Sequence, residues 1–326
     1  MFIEKKKING KTYYYLKASF RVGNKIKTKT LAYIGNKKDL RKIKELKKRF
    51  DKKALEKMKK EITEESEKQK KDWNREFLSE SEIEKINHIK KEFLQKLNTL
   101  DEKTKREMFD DFLTYFIFNS NAIEGNTLTL RETDLLLNKG ITPQGNTLRE
   151  INDHLNSKKV FYYIQEKNLQ MNNKTIILVH DMLMENIDER KGYRTHNVRV
   201  LGTKFKSSPY EYLKTDVSIL LKWYNKNKKR LHPLILASIF HHKFEKIHPF
   251  YDGNGRTGRM IMNLILLRNN LAPIILSNKQ RKTYYIVLSK ADDINLTEID
   301  KKYKPLVKFI STQMFKTFNT IFNRWG

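Results

Sequence analysis

The chain has 326 residues, no cysteine and a formal net charge of +29. The lack of cysteine excludes disulfides, thiolate zinc sites and cysteine nucleophiles, which leaves histidines, carboxylates and hydroxyls for any chemistry. The charge surplus is typical of proteins that bind nucleic acid, an anionic surface or a polyanionic ligand such as a nucleotide. No stretch reaches the roughly 18 to 20 apolar residues of a membrane span, and MFIEKKKING lacks the apolar run of a secretory signal. We therefore expect a soluble, cytoplasmic protein that makes no membrane contact.

The first segment, residues 1–36, is predicted to be a basic β-meander. Apolar and aromatic residues alternate with charged ones from residue 2 to residue 34, and the dipeptides Asn9-Gly10 and Gly23-Asn24 interrupt the alternation. This pattern predicts three antiparallel strands joined by tight turns. Residues 1–50 contain 17 Lys+Arg and 3 Asp+Glu, a net charge of +14, so half of the charge surplus lies here.

The meander combines lysines and arginines with a run of tyrosines, which are the components needed to stack on bases and to screen phosphates. Contact with nucleic acid through residues 1–36 is one interpretation. A protein-docking or oligomerisation module and a purely structural cap are the alternatives.

The rest of the chain is predicted to be helical, so the fold class is mainly α. Residues 37–100 are rich in Lys, Glu and Leu without Gly or Pro, which predicts a charged, partly stand-alone helical connector. Residues 101–311 contain amphipathic segments separated by short breaks, which predicts an all-helical domain, and residues 312–326 are a helical tail. Residues 191–209 are the exception, because their alternation and Ser-Ser-Pro turn favour a short hairpin or an extended loop.

The densest unusual stretch is HPFYDGNGRTGR, residues 248–259, which an apolar helix follows. Gly253, Gly255 and Gly258 allow a tight turn and close approach of backbone N–H groups to a ligand. The helix that begins there directs the positive end of its dipole at the same place. The pattern predicts an anion site.

Charged side chains surround that turn. Arg256 and Arg259 are three residues apart, so both guanidinium groups can reach the same phosphates. Asp252 is placed to hold a Mg²⁺ ion that bridges those phosphates. His248 supplies a side chain that accepts a proton near neutral pH. Together these residues indicate a nucleotide-processing site.

Three better-known sites are excluded by context. The dinucleotide fingerprint needs a preceding strand and an acidic residue about 20 positions later, but no Asp or Glu occurs between Arg259 and Asp292. The P-loop needs Lys-Ser/Thr after its last glycine, where this chain has Arg259-Met260. A metalloprotease site is disfavoured because H-E-x-x-H is absent, and we assign His180, His241 and His242 to structure.

The stretch at 248–259 resembles the signature of the Fic family, HPFx(D/E)GNGRxxR, without a mismatch. The likeness runs from about residue 101 to residue 311. It implies an all-helical domain that binds Mg-ATP and transfers AMP to a Ser, Thr or Tyr hydroxyl of a target protein, with release of pyrophosphate.

The resemblance also implies roles for single residues. His248 would be the base, Phe250 would anchor the loop in the core, and Asp252 would bind Mg²⁺. The remaining signature residues would hold the phosphate chain of ATP: Gly253, Asn254, Gly255, Arg256, Gly258 and Arg259. In RKTYYIVLSKADD, Tyr284 and Tyr285 match a nucleoside-side pattern in which one ring lines the adenosine pocket; the alternative is that both are core aromatics.

The segment SNAIEGN, residues 120–126, resembles the family's inhibitory-helix pattern, (S/T)xxxE(G/N). Ser120 and Glu124 are four apart and so share one face of a helix near residues 115–124. The resemblance implies that Glu124 pairs with Arg259 and keeps the γ-phosphate from its productive position. In such proteins the same glutamate also supports removal of AMP, so both directions remain open.

The expected partners are a protein target with an exposed hydroxyl-bearing loop, held by strand-like pairing at residues 191–209, and the chain itself through auto-modification. A homodimer is left open. Two alternative functions remain: a nucleic-acid-binding regulator with an inactive domain of this fold, and an enzyme that uses another donor for UMP, phosphate or phosphocholine transfer.

Overall fold

The computed structural model describes residues 1–8, 10–22, 25–70, 72–167, 169–198 and 207–325, without the side chains of residues 8, 22, 25, 53 and 63–70. It divides into two compact units, Met1–Asp72 and Trp73–Gly326. Each unit is treated by itself below.

The first unit contains a three-stranded antiparallel sheet, which confirms the predicted meander. Strands β1 (Phe2–Ile8), β2 (Lys11–Val22) and β3 (Lys25–Gly35) pair in the order β1-β2-β3. The register between β2 and β3 shifts twice, at residues 14–15 and 16–17. Of the two predicted turns, Asn9, Gly23 and Asn24 lie outside the described residues.

One face of this sheet is covered by two helices, α1 (Leu40–Arg49) and α2 (Lys52–Lys70). Strand alternation places Leu16, Ala18 and Phe20 on that face, where Ile43 of α1 and Ile62 of α2 pack against them. Burial of each large apolar side chain stabilises the unit by about 1.5–3 kcal/mol. Thus the first part of the predicted connector packs on the meander through its apolar stripe and does not stand alone.

The second unit is helical. Its α-helices are α3 (Trp73–Phe77), α4 (Glu80–Thr99), α5 (Glu102–Ile123), α6 (Leu130–Lys139), α7 (Leu148–Glu166), α8 (Asn173–Leu183), α9 (Leu213–Asn227), α10 (Pro233–Ile247), α11 (Asn254–Arg268), α12 (Arg281–Ser289) and α13 (Lys304–Thr320). Four short 3₁₀ turns lie at Tyr210–Tyr212, Asn278–Gln280, Lys301–Tyr303 and Phe322–Arg324. The mainly helical fold class is confirmed. Within the described ranges, no helix is long and apolar enough to cross a bilayer.

Helices α10 and α11 lie at the centre of this unit. Most residues of α10 are buried, and it packs on α9, α11 and α13. Helix α11 also contacts α5, α7 and α8. A helix that is apolar on nearly all sides is stable only inside such a bundle. The short connection between α10 and α11 is therefore held from several directions.

The helical unit extends beyond the predicted limits of 101 and 311. Helix α4 buries Ile86, Ile89 and Phe93 in the same core, and the C-terminal segment adds Phe318 and Phe322. The ring of Phe322 meets Phe93 edge to face and Phe318 at a tilt, and it stacks on Phe112 of α5. The extent of the Fic-like domain within this unit remains a prediction.

Candidate active site

The connection from α10 to α11 carries the candidate site. Helix α10 ends at His248, whose φ of 52° lies in the left-handed region. Helix α11 begins after Gly253, with a φ of 72°. Left-handed backbone at both ends turns the chain sharply, so the loop between them is compact.

Asn254 and Phe250 fix the shape of this loop. The side chain of Asn254 is buried, accepts a hydrogen bond from the Phe250 N–H at 2.9 Å and donates one to the Phe250 carbonyl at 2.9 Å. The ring of Phe250 is fully buried and stacks on His180 with 3.6 Å between ring centroids. His180 also bonds the Asp252 carbonyl through Nε2 at 3.1 Å. The Asn254 side chain is therefore used to shape the loop. The backbone N–H of Asn254 is the group that could bind a ligand.

The three signature glycines each meet a different constraint. Gly253 adopts a positive φ, and a Cβ there would lie 2.7 Å from Met184 Sδ. A Cβ on Gly255 would collide with the carboxylate of Glu124, and a Cβ on Gly258 would collide with Glu245. The first turn of α11 therefore has no side chain on the side that faces Glu124.

Arg259 is buried and held by the end of α5. Its Nε donates to Ser120 Oγ at 2.9 Å, and its terminal nitrogen donates to the Ser120 carbonyl at 2.9 Å and to Glu124 Oε1 at 2.7 Å. Burial opposes the charge on Arg259, but the neighbouring acidic groups, of which Glu124 contributes most, together outweigh burial and raise the pKa of the guanidinium above its ordinary value. The Glu124 side chain is 37% exposed, so within this pair the arginine is shielded from solvent and the carboxylate is not.

Arg256 is also buried and also paired. It forms an ion pair with Asp153 of α7, and its NH2 lies 3.4 Å from Met184 Sδ. Its Nε has no acceptor among the described residues. Burial raises the pKa of Asp153 although Arg256 opposes the shift. Both signature arginines thus face a carboxylate contributed by another helix.

Asp252 is half exposed and lies next to Arg256, with 3.7 Å between Oδ1 and NH2. It also forms an ion pair with Arg149 and accepts a hydrogen bond from the Gly253 N–H at 2.5 Å. Burial opposes its ionisation, but the two arginines outweigh burial and lower the pKa of this carboxyl. Within the described parts of the chain, no group of three or more carboxylates or histidines could hold a metal alone. One ionised carboxylate fits a Mg²⁺ ion that takes its other ligands from phosphates and water.

His248 is a neutral imidazole in this setting. Burial lowers its pKa below the ordinary value, although the Glu245 carbonyl and the Glu124 carboxylate oppose the shift. Arg194, which is buried, donates through Nε to the His248 carbonyl at 2.9 Å and through its backbone N–H to the Pro249 carbonyl at 3.0 Å. Arg194 therefore fixes the backbone that carries the imidazole. At neutral pH the imidazole can accept a proton from a bound group.

The two candidate nucleoside tyrosines differ. Tyr284 is 1% exposed and its hydroxyl lies 2.6 Å from His241 Nε2, so it is a core residue. Tyr285 is 38% exposed, and Arg281 lies over its ring at 5.5 Å. Burial raises the pKa of the Tyr285 hydroxyl; the Glu124 carboxylate adds to this shift and Arg259 opposes it. Only Tyr285 offers a surface to a base.

The segment at 191–209 is described only at its two ends. Neither 191–198 nor 207–209 contains a strand, and residues 199–206, which hold the centre of the predicted hairpin or loop, lie outside the described residues. Arg194 ties the first end to the loop that follows α10.

Several contributors to the site were missed by the sequence interpretation: Arg149, Asp153, Met184, Arg194 and Glu245. Asp153 and Arg149 are 103 residues from their partners in the chain. No local spacing rule connects residues so far apart. A weak signal for Glu245 was present, because it lies four residues after His241 on α10 and so shares its face.

A helical bundle that presents two buried arginines, an anion-binding turn and a neutral imidazole at one helix N-terminus defines a phosphate-handling domain. Residues 170–266 match the Fic/DOC family model, so the chain contains a Fic/DOC-family domain. The signature loop at 248–259 lies inside the matched range.

Curated proteins support this family. The "Protein adenylyltransferase Fic" of Drosophila virilis is 32% identical over 213 residues, which are 62% of this chain and 41% of the relative. That of Culex quinquefasciatus is 29% identical over 246 residues, 72% of this chain and 46% of the relative. The chain thus spans less than half the length of these relatives.

Solved structures give the same fold. Fic-1 of Caenorhabditis elegans, residues 134–508, superposes with a TM-score of 0.63 at 26% identity, covering 74% of this chain and 71% of that one. A Fic-domain signalling protein from Bacteroides thetaiotaomicron gives a TM-score of 0.63 at 24% identity. It covers 72% of this chain and 94% of its own length.

Proposed function

We propose that this chain transfers AMP from Mg-ATP to a Ser, Thr or Tyr hydroxyl of a protein. One observation carries the proposal: the carboxylate of Glu124 lies against Gly255 in the first turn of α11 and pairs with Arg259 at 2.7 Å. An anionic group is thus already held at the helix N-terminus, in the kind of place that binds a phosphate. The curated relatives are named protein adenylyltransferases, which supports the choice of reaction.

In this reaction the target hydroxyl oxygen attacks the α-phosphorus of ATP, the bond from that phosphorus to the bridging oxygen breaks, and pyrophosphate leaves. The hydroxyl proton passes to His248, which is neutral because burial lowers its pKa. Arg256 and the backbone N–H groups of the first α11 turn neutralise the charge on the phosphate chain. Tyr285 offers its exposed ring to adenine.

Asp252 would hold Mg²⁺. When bound, the ion would neutralise charge on the phosphate chain. Asp252 is ionised and half exposed, which suits this role, but in the structure its carboxylate is paired with Arg149. Arg149 lies on the surface, with a side chain 54% exposed, and can turn away to solvent when the carboxylate takes another partner.

Glu124 would inhibit the reaction by competition. One guanidinium, Arg259, cannot pair fully with both the Glu124 carboxylate and a γ-phosphate. Since the carboxylate belongs to the same chain, its local concentration is high and it disfavours the productive pose of ATP. The same glutamate placed beside a modified hydroxyl would suit an attacking water, so removal of AMP belongs to this proposal as well.

The target would be a protein segment that presents a hydroxyl, with the chain's own hydroxyls as a second substrate. Arg194 connects the expected target-holding segment to the backbone of His248. This connection supports delivery of the hydroxyl next to the base.

The test uses ATP labelled at either the α- or the γ-phosphate, incubated with Mg²⁺, the full chain and a cell lysate. We expect label from the α position only in protein bands, more of it with Glu124→Gly and none with His248→Ala. His88→Ala, which changes a histidine 70% exposed on α4, is the matched control and should label like the wild type.

Label from the γ position would show phosphate transfer instead. Incorporation from α-labelled UTP that exceeds that from ATP would show UMP transfer. If protein takes up no label with any variant, the proposed function is wrong.

A further inference from the structure

The sheet of the first unit has one covered face and one open face. On the open face, the rings of Tyr13, Tyr15 and Tyr33 form a cluster. The centroid of Tyr33 lies 6.3 Å from that of Tyr13 and 5.4 Å from that of Tyr15. Tyr15 and Tyr33 are direct partners across β2 and β3, which places both rings on the same side of the sheet.

These rings remain accessible to a ligand. Tyr33 is 48% exposed, and Phe2 and Ile26 on the same face are 44% and 74% exposed. Folding of the unit does not explain the exposed aromatic and apolar side chains on the face opposite the one that packs against α1 and α2. We therefore infer that the open face binds a ligand or a partner.

Basic side chains border the tyrosines. Lys6 pairs across the strands with Tyr13, and Lys17 is the second residue along β2 from Tyr15, so both lie on the open face. The ammonium of Lys42 lies 6.0 Å from the Tyr33 ring centroid. Aromatic rings next to cationic groups match the two chemical parts of a nucleotide, the base and the phosphate.

The charge of the sheet indicates whether a nucleic acid or a protein binds to the open face. Of the 9 Lys+Arg and 1 Asp+Glu in residues 1–36, strand pairing places Lys6, Lys11, Lys17 and Arg21 on the open face, together with Glu4. The one acidic residue, Glu4, is paired with Lys17 at 2.7 Å. Protein interfaces are depleted of lysine at their core, so a lysine-rich face of this kind suits a polyanion better than a protein.

We propose that the open face of the β1–β3 sheet binds single-stranded nucleic acid, with bases stacked on Tyr13, Tyr15 and Tyr33 and backbone phosphates held by Lys6 and Lys11. A single strand is favoured over a duplex because stacking needs the flat face of a base. That face is available only when the base is unstacked from its neighbours. The ring spacing accommodates two or three nucleotides.

This binding activity is separate from AMP transfer. Its test measures the fluorescence anisotropy of short labelled single-stranded RNA and DNA, and of a DNA duplex, with the full chain at several salt concentrations. Tighter binding of a single strand than of the duplex is expected. His248→Ala should bind as the wild type does, which keeps this result independent of the proposed transferase activity.

The variants separate stacking from charge. Tyr15→Leu and Tyr33→Leu should each weaken binding about tenfold, whereas Tyr15→Phe and Tyr33→Phe, which keep the ring, should stay within about twofold. Lys6→Gln and Lys11→Gln should each lower the slope of log affinity against log salt by about 0.7. Tyr212→Leu, which alters a tyrosine 59% exposed in the second unit, is the matched control and should change nothing.

Circular dichroism checks that each variant folds. If a leucine variant is unfolded, the proposal is still tested by the phenylalanine and lysine variants. The comparison of single-stranded with duplex DNA tests it as well. Equal binding by folded leucine variants, or tighter binding of the duplex, would overturn the proposal. So would a lack of nucleic-acid binding together with self-association that the same tyrosines control, which would show a protein-docking face.

Discussion

The two signature arginines, three residues apart on α11, are both buried and each is paired with a carboxylate, yet the two carboxylates are held very differently. Asp153 lies inside α7 with a side chain 11% exposed, whereas Glu124 caps the end of α5 with a side chain 37% exposed. Gly125, with a φ of 99°, follows Glu124 and ends the helix.

This difference indicates which pair can open. Removing Asp153 from Arg256 would require α7 to move or would leave a buried charge without compensation. Glu124 can leave Arg259 by rotation of its own side chain toward water. We infer that Arg256–Asp153 is a fixed structural pair and that Arg259–Glu124 is an exchangeable one.

The first test of this comparison changes the exchangeable partner. Glu124→Gly removes the carboxylate next to Arg259, so incorporation of α-label in Mg-ATP should rise by one to two orders of magnitude, the range of a typical coupling free energy. Gel autoradiography at matched protein concentration measures it. Glu185→Gln, a change at a carboxylate on the surface, should have no effect. An unchanged rate in folded Glu124→Gly would mean that Glu124 does not inhibit.

The second test changes the fixed partner. Asp153→Asn leaves the buried Arg256 with only the half-exposed Asp252, 3.7 Å away, as a counter-charge, which should reduce the free energy of unfolding by about 3 kcal/mol. A polyphosphate can then supply the missing charge, so ATP should stabilise the variant more than it stabilises the wild type.

Urea unfolding with and without the nucleotide measures both effects. Asp293→Asn, which disturbs an exposed pair with Lys302, should cost much less. A loss no larger in Asp153→Asn than in this control would contradict the assignment of a fixed pair.

The third test concerns Glu245, which lies behind Arg259. Its Oε1 is buried, has no hydrogen-bond partner among the described residues, and lies 3.9 Å from His241 Nδ1. Burial raises the pKa of this carboxyl from 4.5 to about 8, although Arg259 opposes the shift. The folded state therefore keeps the proton to a higher pH than the unfolded state, and the stabilisation is lost as pH rises through the folded pKa.

Between pH 6.5 and about 8, the free energy of unfolding of the wild type should fall relative to Glu245→Gln by roughly 1.4 kcal/mol per pH unit. Burial lowers the pKa of His241 and of His248, so both titrate below this window. Urea unfolding at several pH values measures the difference. Parallel curves for the two proteins would show that Glu245 is ionised throughout.

The smallest effect is expected from Ser120→Ala. The variant removes one hydrogen bond to Arg259 Nε but leaves the Glu124 pair and the Ser120 carbonyl contact in place. The free energy of unfolding should fall by about 1 kcal/mol, and incorporation of label should change by less than the Glu124 variant changes it. Activation as large as that of Glu124→Gly would mean that the serine, and not the carboxylate, holds the arginine in its inhibited position.

The sequence was sufficient for the helical fold, the meander and the contiguous signature, because each depends on local periodicity or on neighbouring residues. It also paired Ser120 with Glu124 through their spacing of four. Asp153 and Arg149 could not be found in this way, since their partners lie more than 100 residues away and only packing of α7 on α11 brings them close. The choice between Tyr284 and Tyr285 likewise depends on which side of α12 faces the core.

The contact between Glu124 and Gly255 would limit how the proposed inhibition could be lifted. The carboxylate and a phosphate would use the same side of the first α11 turn, which is open only because residue 255 has no Cβ. A larger residue at 255 would expel the carboxylate but would equally block the nucleotide. If Glu124 inhibits as proposed, substitutions that remove the carboxylate on α5 would lift inhibition, whereas a larger residue at 255 would not.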